Sequence, residues 1–355
     1  MNNLKSTLVL DIGSGQTKAG LADHGNPSCK ISTSGNYRSS EICDLKEGNN
    51  VSVSPVQCGI IKDYDRVEDL LGHIYEAQLV LRSDEHPVLV TQPPKNPQRD
   101  KNKIAELFFE KFQVPALYEE MHSVLTFYSS GRPAGLIVES GHGVTTVVPI
   151  VSGFAISDAI LRVNIGGSDI DQYLSNILNE KKSINVNAEE SRLLKEKLCF
   201  VPDQINYRDT LAREYLLPDG RTVTLAEERY NATRPLFEPF LVEQFDTPGI
   251  HDMIFQSIFK CGVDLRKDFA NNIILSGGNS LLSGLDVRLK SELESKVPAR
   301  MNINIIADPD REILVWKGGA ILGSLSTFTK NICVSIQEYQ ELGESAIRNK
   351  FLCGL

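Results

Sequence analysis

Leu8-Val9-Leu10-Asp11-Ile12-Gly13-Ser14-Gly15-Gln16-Thr17-Lys18 decides how the rest of the chain is read. An apolar run of strand formers ends in one carboxylate, breaks at two glycines around Ser14, and continues through Thr17 and Lys18. Gly13 and Gly15 let the backbone turn tightly with its N–H groups inward, a concavity that suits an oxyanion such as phosphate. Lys18 supplies a point charge there, and Asp11 can hold a water, or a divalent cation through water. Taken alone, the same residues also describe a hairpin turn with no ligand.

A second copy changes the balance. Leu136-Ile137-Val138-Glu139-Ser140-Gly141-His142-Gly143-Val144-Thr145-Thr146 repeats the plan of apolar strand, acid, small residue, Gly-x-Gly and β-branched strand. Two such hairpins facing each other would grip a polyphosphate. A third element, Ile273-Ile274-Leu275-Ser276-Gly277-Gly278-Asn279-Ser280, is again a strand ending in glycines, ahead of a helical stretch expected from about Leu281 to Val297. Its glycines let a flat ring approach the backbone, which makes it a nucleoside platform.

The chain has 355 residues, more than one ordinary core accommodates, so two or more lobes are expected. Hydrophobic residues at 41% and charged ones at 23% describe a soluble globular protein. A formal net charge of -9 without an offsetting Lys/Arg block argues against direct nucleic-acid or membrane-surface binding and favours cations and basic surfaces as ligands. Seven scattered cysteines with no C-x-x-C pair suggest a reducing compartment and neither a zinc site nor a disulfide framework. The start of the chain has no secretory pattern and no apolar run reaches membrane-spanning length, so the cytoplasm and its cytoskeleton, or the nucleus, is expected.

Strand and helix signals alternate around the first glycine turn, which argues for an α/β lobe. Residues 26–54 are polar and turn-rich, a small outer excursion. Helices are expected from Asp63, over Asn102 to Phe112, and over Glu120 to Ser130 with a stop at Gly131; a buried strand falls at 86–94. Further on, the pattern gives a helix over Ser168 to Lys181 capped by Ser168, a helix over Glu189 to Leu198, a Pro-Asp-Gly hairpin at 217–225, a strand over Asn302 to Ile306, and a small-residue helix from Trp316.

Together these stretches resemble the actin and actin-related protein family over essentially the whole chain. The resemblance rests on Asp11 to Lys18, Glu85-His86-Pro87-Val88-Leu89, Tyr128-Ser129-Ser130-Gly131-Arg132 and Ser140 to Thr145. It continues in Lys195-Glu196-Lys197-Leu198-Cys199, Leu217-Pro218-Asp219-Gly220, Gly249-Ile250-His251, Lys260 to Asp268, Leu275-Ser276-Gly277-Gly278 and Val315-Trp316-x-Gly318-Gly319. These signatures extend beyond the nucleotide loops, which disfavours the sugar kinases and heat-shock chaperones of the same superfamily. The resemblance implies a two-lobed α/β fold of the actin-like ATPase type, with ATP or ADP and Mg2+ or Ca2+ in the interlobe cleft. The small lobe would comprise 1–31, 55–129 and 314–355 with an outer insertion at 32–54. The large lobe would comprise 130–165 and 246–313 with an outer insertion at 166–245.

The resemblance further implies that Gly13, Ser14, Gly15 and Lys18 contact the phosphates together with the backbone around Gly141 and Gly143, and that Asp11 holds the hydrated cation. Gly167, Arg192, Lys195 and Glu196 would surround ribose and base, with Gly277 and Gly278 beneath the adenine. Without the family, Arg192 and Lys195 read as a solvated helix face. It implies partners too, namely other actin or actin-related subunits, and actin-binding proteins at an apolar groove of Tyr128, Phe154, Leu322, Leu325 and Phe328, residues that could equally be core.

This chain departs from the family where the attacking water is prepared. His122 stands in place of a glutamine, Glu139 and His142 in place of aspartates, and Thr146 in place of a histidine. Glu139 is a methylene longer than aspartate, and His142 removes a negative charge beside the metal. Phosphoryl transfer rests on positioning and electrostatics, so ATP binding with hydrolysis slower than in actin is expected, unless His122 and Glu139 compensate. Glu312 replaces a lysine near the adenine pocket, and the segment between Cys29 and Gln57 is short and lacks an apolar tip, which weakens one end of a longitudinal filament contact. Two functions remain in view: a filament-forming or filament-associated ATP-binding protein, and a non-cycling subunit that caps, nucleates or scaffolds a larger complex.

Overall fold

The computed structural model describes residues 5–37, 54–204, 211–242 and 247–350. The expected outer-loop tip at 38–53 lies outside them. Two compact units appear: Met1–Pro133, Ile150–Ser157 and Ile313–Leu355 form the first, and Ala134–Pro149 with Asp158–Glu312 form the second.

The first unit is built on a six-stranded sheet in the order Val334–Ser335, Ala116–Met121, Val88–Gln92, Leu8–Ile12, Gln16–Leu21, Cys29–Ser32. Leu8–Ile12 runs antiparallel to Gln16–Leu21 and parallel to Val88–Gln92. Leu8, Val9, Leu10, Val88 and Leu89 are wholly buried, as expected where helices cover both faces of a parallel core. The helix Leu314–Gly323 lies against it, its Trp316 fully buried and donating Nε1–H to the carbonyl of Val9 at 3.2 Å.

The second sheet has the order Phe154–Ala155, Thr145–Val151, Ala134–Ser140, Ile273–Ser276, Ile305–Ile306, with Leu161–Val163 also on Thr145–Val151. Ala134–Ser140, Ile273–Ser276 and Ile305–Ile306 are parallel. The two sheets therefore share one plan, an antiparallel set that leads through its first strand into parallel ones, and each places a glycine turn after that first strand. The recurrence seen in two short motifs is a recurrence of whole supersecondary units.

Asp63 caps the helix Tyr64–His73 by accepting from Arg66 N–H at 3.1 Å, and Gly131 closes His122–Ser130 in the left-handed conformation. Four expectations are corrected. The helix Gly167–Lys182 starts one residue early, and Ser168 does not cap it: the Asp169 carboxylate accepts from Gly166 N–H at 2.8 Å, while the Ser168 hydroxyl donates to the carbonyl of His142 at 2.8 Å. Glu120 remains in the strand Ala116–Met121. The helix after the third glycine element begins at Leu285, because Gly284 takes a positive φ of 81° and a short 3-10 turn precedes it. The strand expected at 302–306 is limited to Ile305–Ile306.

Candidate functional site

In the first unit the hairpin register sets Asp11 opposite Lys18, and the ammonium donates to Asp11 Oδ2 at 3.0 Å. A Cβ on Gly13 would come within 2.8 Å of the carbonyl of Gln16, so the turn closes with glycine there. Gly13 N–H donates to that same carbonyl at 3.1 Å, which spends it inside the turn. Ser14 is tied to the segment that follows the outer excursion: its hydroxyl oxygen accepts from Gly59 N–H, and its carbonyl accepts from the Ser54 hydroxyl, both at 2.8 Å.

Asp11 is buried, and burial by itself would raise its pKa. Lys18 and His122 nearby, with hydrogen bonds from Lys18 and Thr91, outweigh that and hold the carboxyl below the usual carboxylate range. Thr91 is the residue that sequence reasoning missed. Its hydroxyl donates to Asp11 Oδ1 at 3.2 Å and lies 3.0 Å from His122 Nε2, so it joins the two side chains. The available signal was a polar residue ending an apolar parallel strand, Val88-Leu89-Val90-Thr91, at the edge where such sheets place their ligands.

In the second unit Gly141, Gly167, Lys195 and Gly277 come together. Gly141 N–H closes its turn on the carbonyl of Val144 at 2.9 Å, and the carbonyls of Gly141 and His142 accept from the N–H groups of Gly167 and Ser168 at 2.9 and 2.7 Å. The second glycine turn thus caps the helix Gly167–Lys182. Lys195 is buried and not on a solvated face: its ammonium bonds Asp171 Oδ1 at 2.8 Å and the carbonyl of Gly167 at 2.9 Å. Asp171 is a second residue missed in the sequence; burial raises its carboxyl against the pull of Lys195. Arg192 and Glu196 pair at 2.8 Å on a partly exposed face, as a plain surface reading of that helix has it.

The His142 imidazole is pushed down to about 4 by desolvation in the turn, then by Lys195 and Arg192, so it is neutral at physiological pH. Glu139 lies beside Ser276 through the parallel register of its strand, and Gly143 is buried in the turn. Thr146 is buried, with no hydrogen-bond partner for its hydroxyl. Gly277 has a φ of 87°, and a Cβ on it would come within 2.3 Å of the carbonyl of Ser140. Strand packing therefore requires that glycine, while Gly278 is the exposed one, with only the Glu312 methylene 3.8 Å from where its Cβ would be. A hidden network locks this corner. Asn279 Nδ2 donates to Ser140 Oγ at 2.9 Å, Ser140 meets Thr145 Oγ1 at 3.0 Å, and Thr145 donates to the carbonyl of Ile165 at 2.8 Å.

The expected groove residues separate. Phe154 and Leu325 are exposed, and Tyr128 is half-buried against Gly153. Leu322 is buried, and Phe328 is fully buried with its ring edge-on to Tyr118, so these two belong to the core.

A family model described as Actin matches residues 3–191 and 188–352. The chain belongs to the actin family. Proteins of this family generally bind a nucleotide with a divalent cation, and the residues present suit both. An ionised Asp11 beside Lys18 fits a hydrated cation and a phosphate, and the Gly278 surface is bare enough for a planar base. Among the described residues no helix is long and apolar enough to cross a membrane.

Proposed function

We propose that this actin-family chain binds ATP or ADP with Mg2+ or Ca2+ and hydrolyses ATP more slowly than actin does, as a filament-forming or filament-associated protein. The observation that carries the reading is the Asp11–Lys18 pair at the first glycine turn, in a chain that the family model matches nearly end to end. On the first unit, Lys18 with the N–H groups of Ser14 and Gly15 takes phosphate oxygens, and Asp11 holds the hydrated cation. On the second unit, Gly143 and the N–H of His142 take phosphate, Lys195 orders the Gly167 corner, Arg192 and Glu196 flank ribose and base, and Gly278 lies beneath the base. Gly13, Gly141 and Gly277 shape these turns without donating to the ligand. The bound cation would neutralise phosphate charge; the chain's own groups orient the nucleotide and the water.

Three substitutions at the site support the reading of slow hydrolysis. Neutral His142 brings no charge to the metal, Thr146 is shorter than the family's histidine, and Glu139 is longer than its aspartate. The same features, with the short segment between Cys29 and Gln57, favour a second reading, a non-cycling subunit that caps, nucleates or scaffolds a complex of the cytoskeleton or of chromatin. In either case the partners are other actin-like subunits and proteins that dock on Phe154 and Leu325. The segments 32–54 and 166–245 are then the outer insertions of the small and large lobes.

Nucleotide extracted from purified protein tests the common claim: adenine nucleotide at near one per chain with Mg2+ or Ca2+ supports it, and none retained with either cation sinks it. Sedimentation after ATP and salt separates the readings, since a chain that stays soluble at high concentration does not form filaments by itself.

A further inference from the structure

We propose that His251 is an acid-operated latch: a proton on its ring unseats Phe237 and releases the arm 234–242 from the helix Ile250–Lys260. The arm carries two 3-10 turns, Arg234–Leu236 and Pro239–Leu241, with Phe237 between them. Phe237 is buried, whereas Phe240 is 67% exposed. Pro235, Leu236 and Pro239 of the arm, with Pro248, Ile250 and Met253, line a small apolar cavity, so the arm is one of its walls. His251 occupies the second position of the helix, its side chain 12% exposed. Its ring lies on that of Phe237, centroids 5.6 Å apart and planes at 35°. Gly249 sits between the two: a Cβ there would stand 2.3 Å from the Phe237 carbonyl oxygen and 2.8 Å from His251 Cε1, so glycine lets the arm and the ring close on each other.

The closed pocket favours a neutral ring. Nδ1 is buried with no hydrogen-bond partner, and Nε2 is 3.5 Å from Asp252 Oδ2. The charged groups that face the ring are Asp252 on its own helix and Arg288, Glu292 and Lys296 on the helix Leu285–Lys296. They cancel in pairs, because Lys296 donates to Asp252 and Arg288 donates to Glu292 at 2.7 Å. On the arm, Arg234 and Glu238 pair with each other at 2.6 Å. The Arg288 guanidinium also stands 4.7 Å from the Phe237 centroid, so the seat of the ring already carries a cation, and the first turn of a helix opposes another. Desolvation, joined by Lys296 and Arg288 and only partly offset by the two carboxylates, holds the ring below the ordinary histidine value of 6.5. Once the arm is released the ring meets water and binds a proton with its ordinary affinity. The released population therefore rises as pH falls through 6.5 and levels off below the closed-state value, by up to about tenfold per pH unit in between. Release brings Pro235, Leu236 and Phe237 to solvent beside Phe240 as one apolar surface. None of these residues belongs to the proposed nucleotide site.

Hydrogen exchange of the full chain, read by mass spectrometry between about pH 7.5 and about pH 5 and corrected for the intrinsic pH dependence of exchange, tests the latch. In the wild type the protection of amides in 234–242 should fall severalfold in acid while that of the strand Ile273–Ser276 holds. In His251→Gln, whose side chain takes up no proton, the arm should stay protected. Lys296→Gln, at a partly exposed residue, leaves the Asp252 carboxylate to the imidazolium and should shrink the acid response of the arm. A wild-type arm equally protected at both ends of the range overturns the proposal, as does a loss spread equally over arm and strand, or a His251→Gln arm that loosens in acid as the wild type does. Should His251→Gln fail to fold, Lys296→Gln decides: an acid response equal to that of the wild type overturns the latch, and a smaller one supports it.

Discussion

At the residue scale, three titratable groups, Glu119, Asp171 and His142, define what this protein can tolerate. Glu119 is buried on the strand Ala116–Met121 with no hydrogen-bond partner for either oxygen, and burial raises its carboxyl well above the usual range. A carboxyl raised in the folded state contributes stability that is present below its unfolded pKa and lost as pH rises through the folded value. Glu119→Gln should therefore stabilise the protein at neutral and alkaline pH by about 1–3 kcal/mol, with the gain vanishing below about pH 4.5, as thermal unfolding across pH will show. Asp171 is the opposite case. Asp171→Ala leaves the Lys195 ammonium buried beside one carbonyl, and denaturant unfolding should register a loss of about 3–5 kcal/mol. His142 has its pKa lowered to about 4, so folding loses stability as pH falls from its unfolded value toward 4; His142→Asn should flatten that acid limb.

At the scale of elements, close approach explains the glycines better than ligand contact does. The helices His122–Ser130 and Leu314–Gly323 meet so tightly that a Cβ on Gly318 would stand 1.7 Å from the carbonyl of Leu125. Gly318→Ala should cost about 3 kcal/mol or more and yield little folded protein, whereas Gly72→Ala, where nothing lies within 4 Å and φ is ordinary, should be neutral or mildly stabilising in the same thermal scan. Asp11 and Lys18 were legible in sequence as residues of one glycine turn, and the hairpin register then pairs them directly. Thr91 was not legible, because the parallel strand that carries it stands 80 residues away and only sheet order brings it to Asp11. Gly277 was legible as a special position, but the packing against Ser140 that demands its conformation was not.

At the scale of the whole molecule, nucleotide binding should stabilise the fold by mass action. A ligand at about a hundred times its Kd adds roughly 2.7 kcal/mol, so ATP with Mg2+ should raise the melting temperature and a chelator should take most of that gain back. Absence of any shift at millimolar ATP would count against a nucleotide-linked fold. Each unit by itself carries a glycine turn and a lysine–carboxylate pair, Lys18 with Asp11 in the first and Lys195 with Asp171 in the second.

The sequence by itself determined the α/β class, the two glycine hairpins, the family, and most helix positions, because apolar period, turn glycines and hairpin register are local properties of the chain. Tertiary structure alone decided which polar groups meet: Thr91 between Asp11 and His122, Asp171 under Lys195, Asn279 behind Ser140, and Phe328 in the core with Phe154 left outside. Those contacts join residues far apart in the chain, and their hydrogen-bond direction and desolvation depend on how strands and helices pack, which no local pattern specifies.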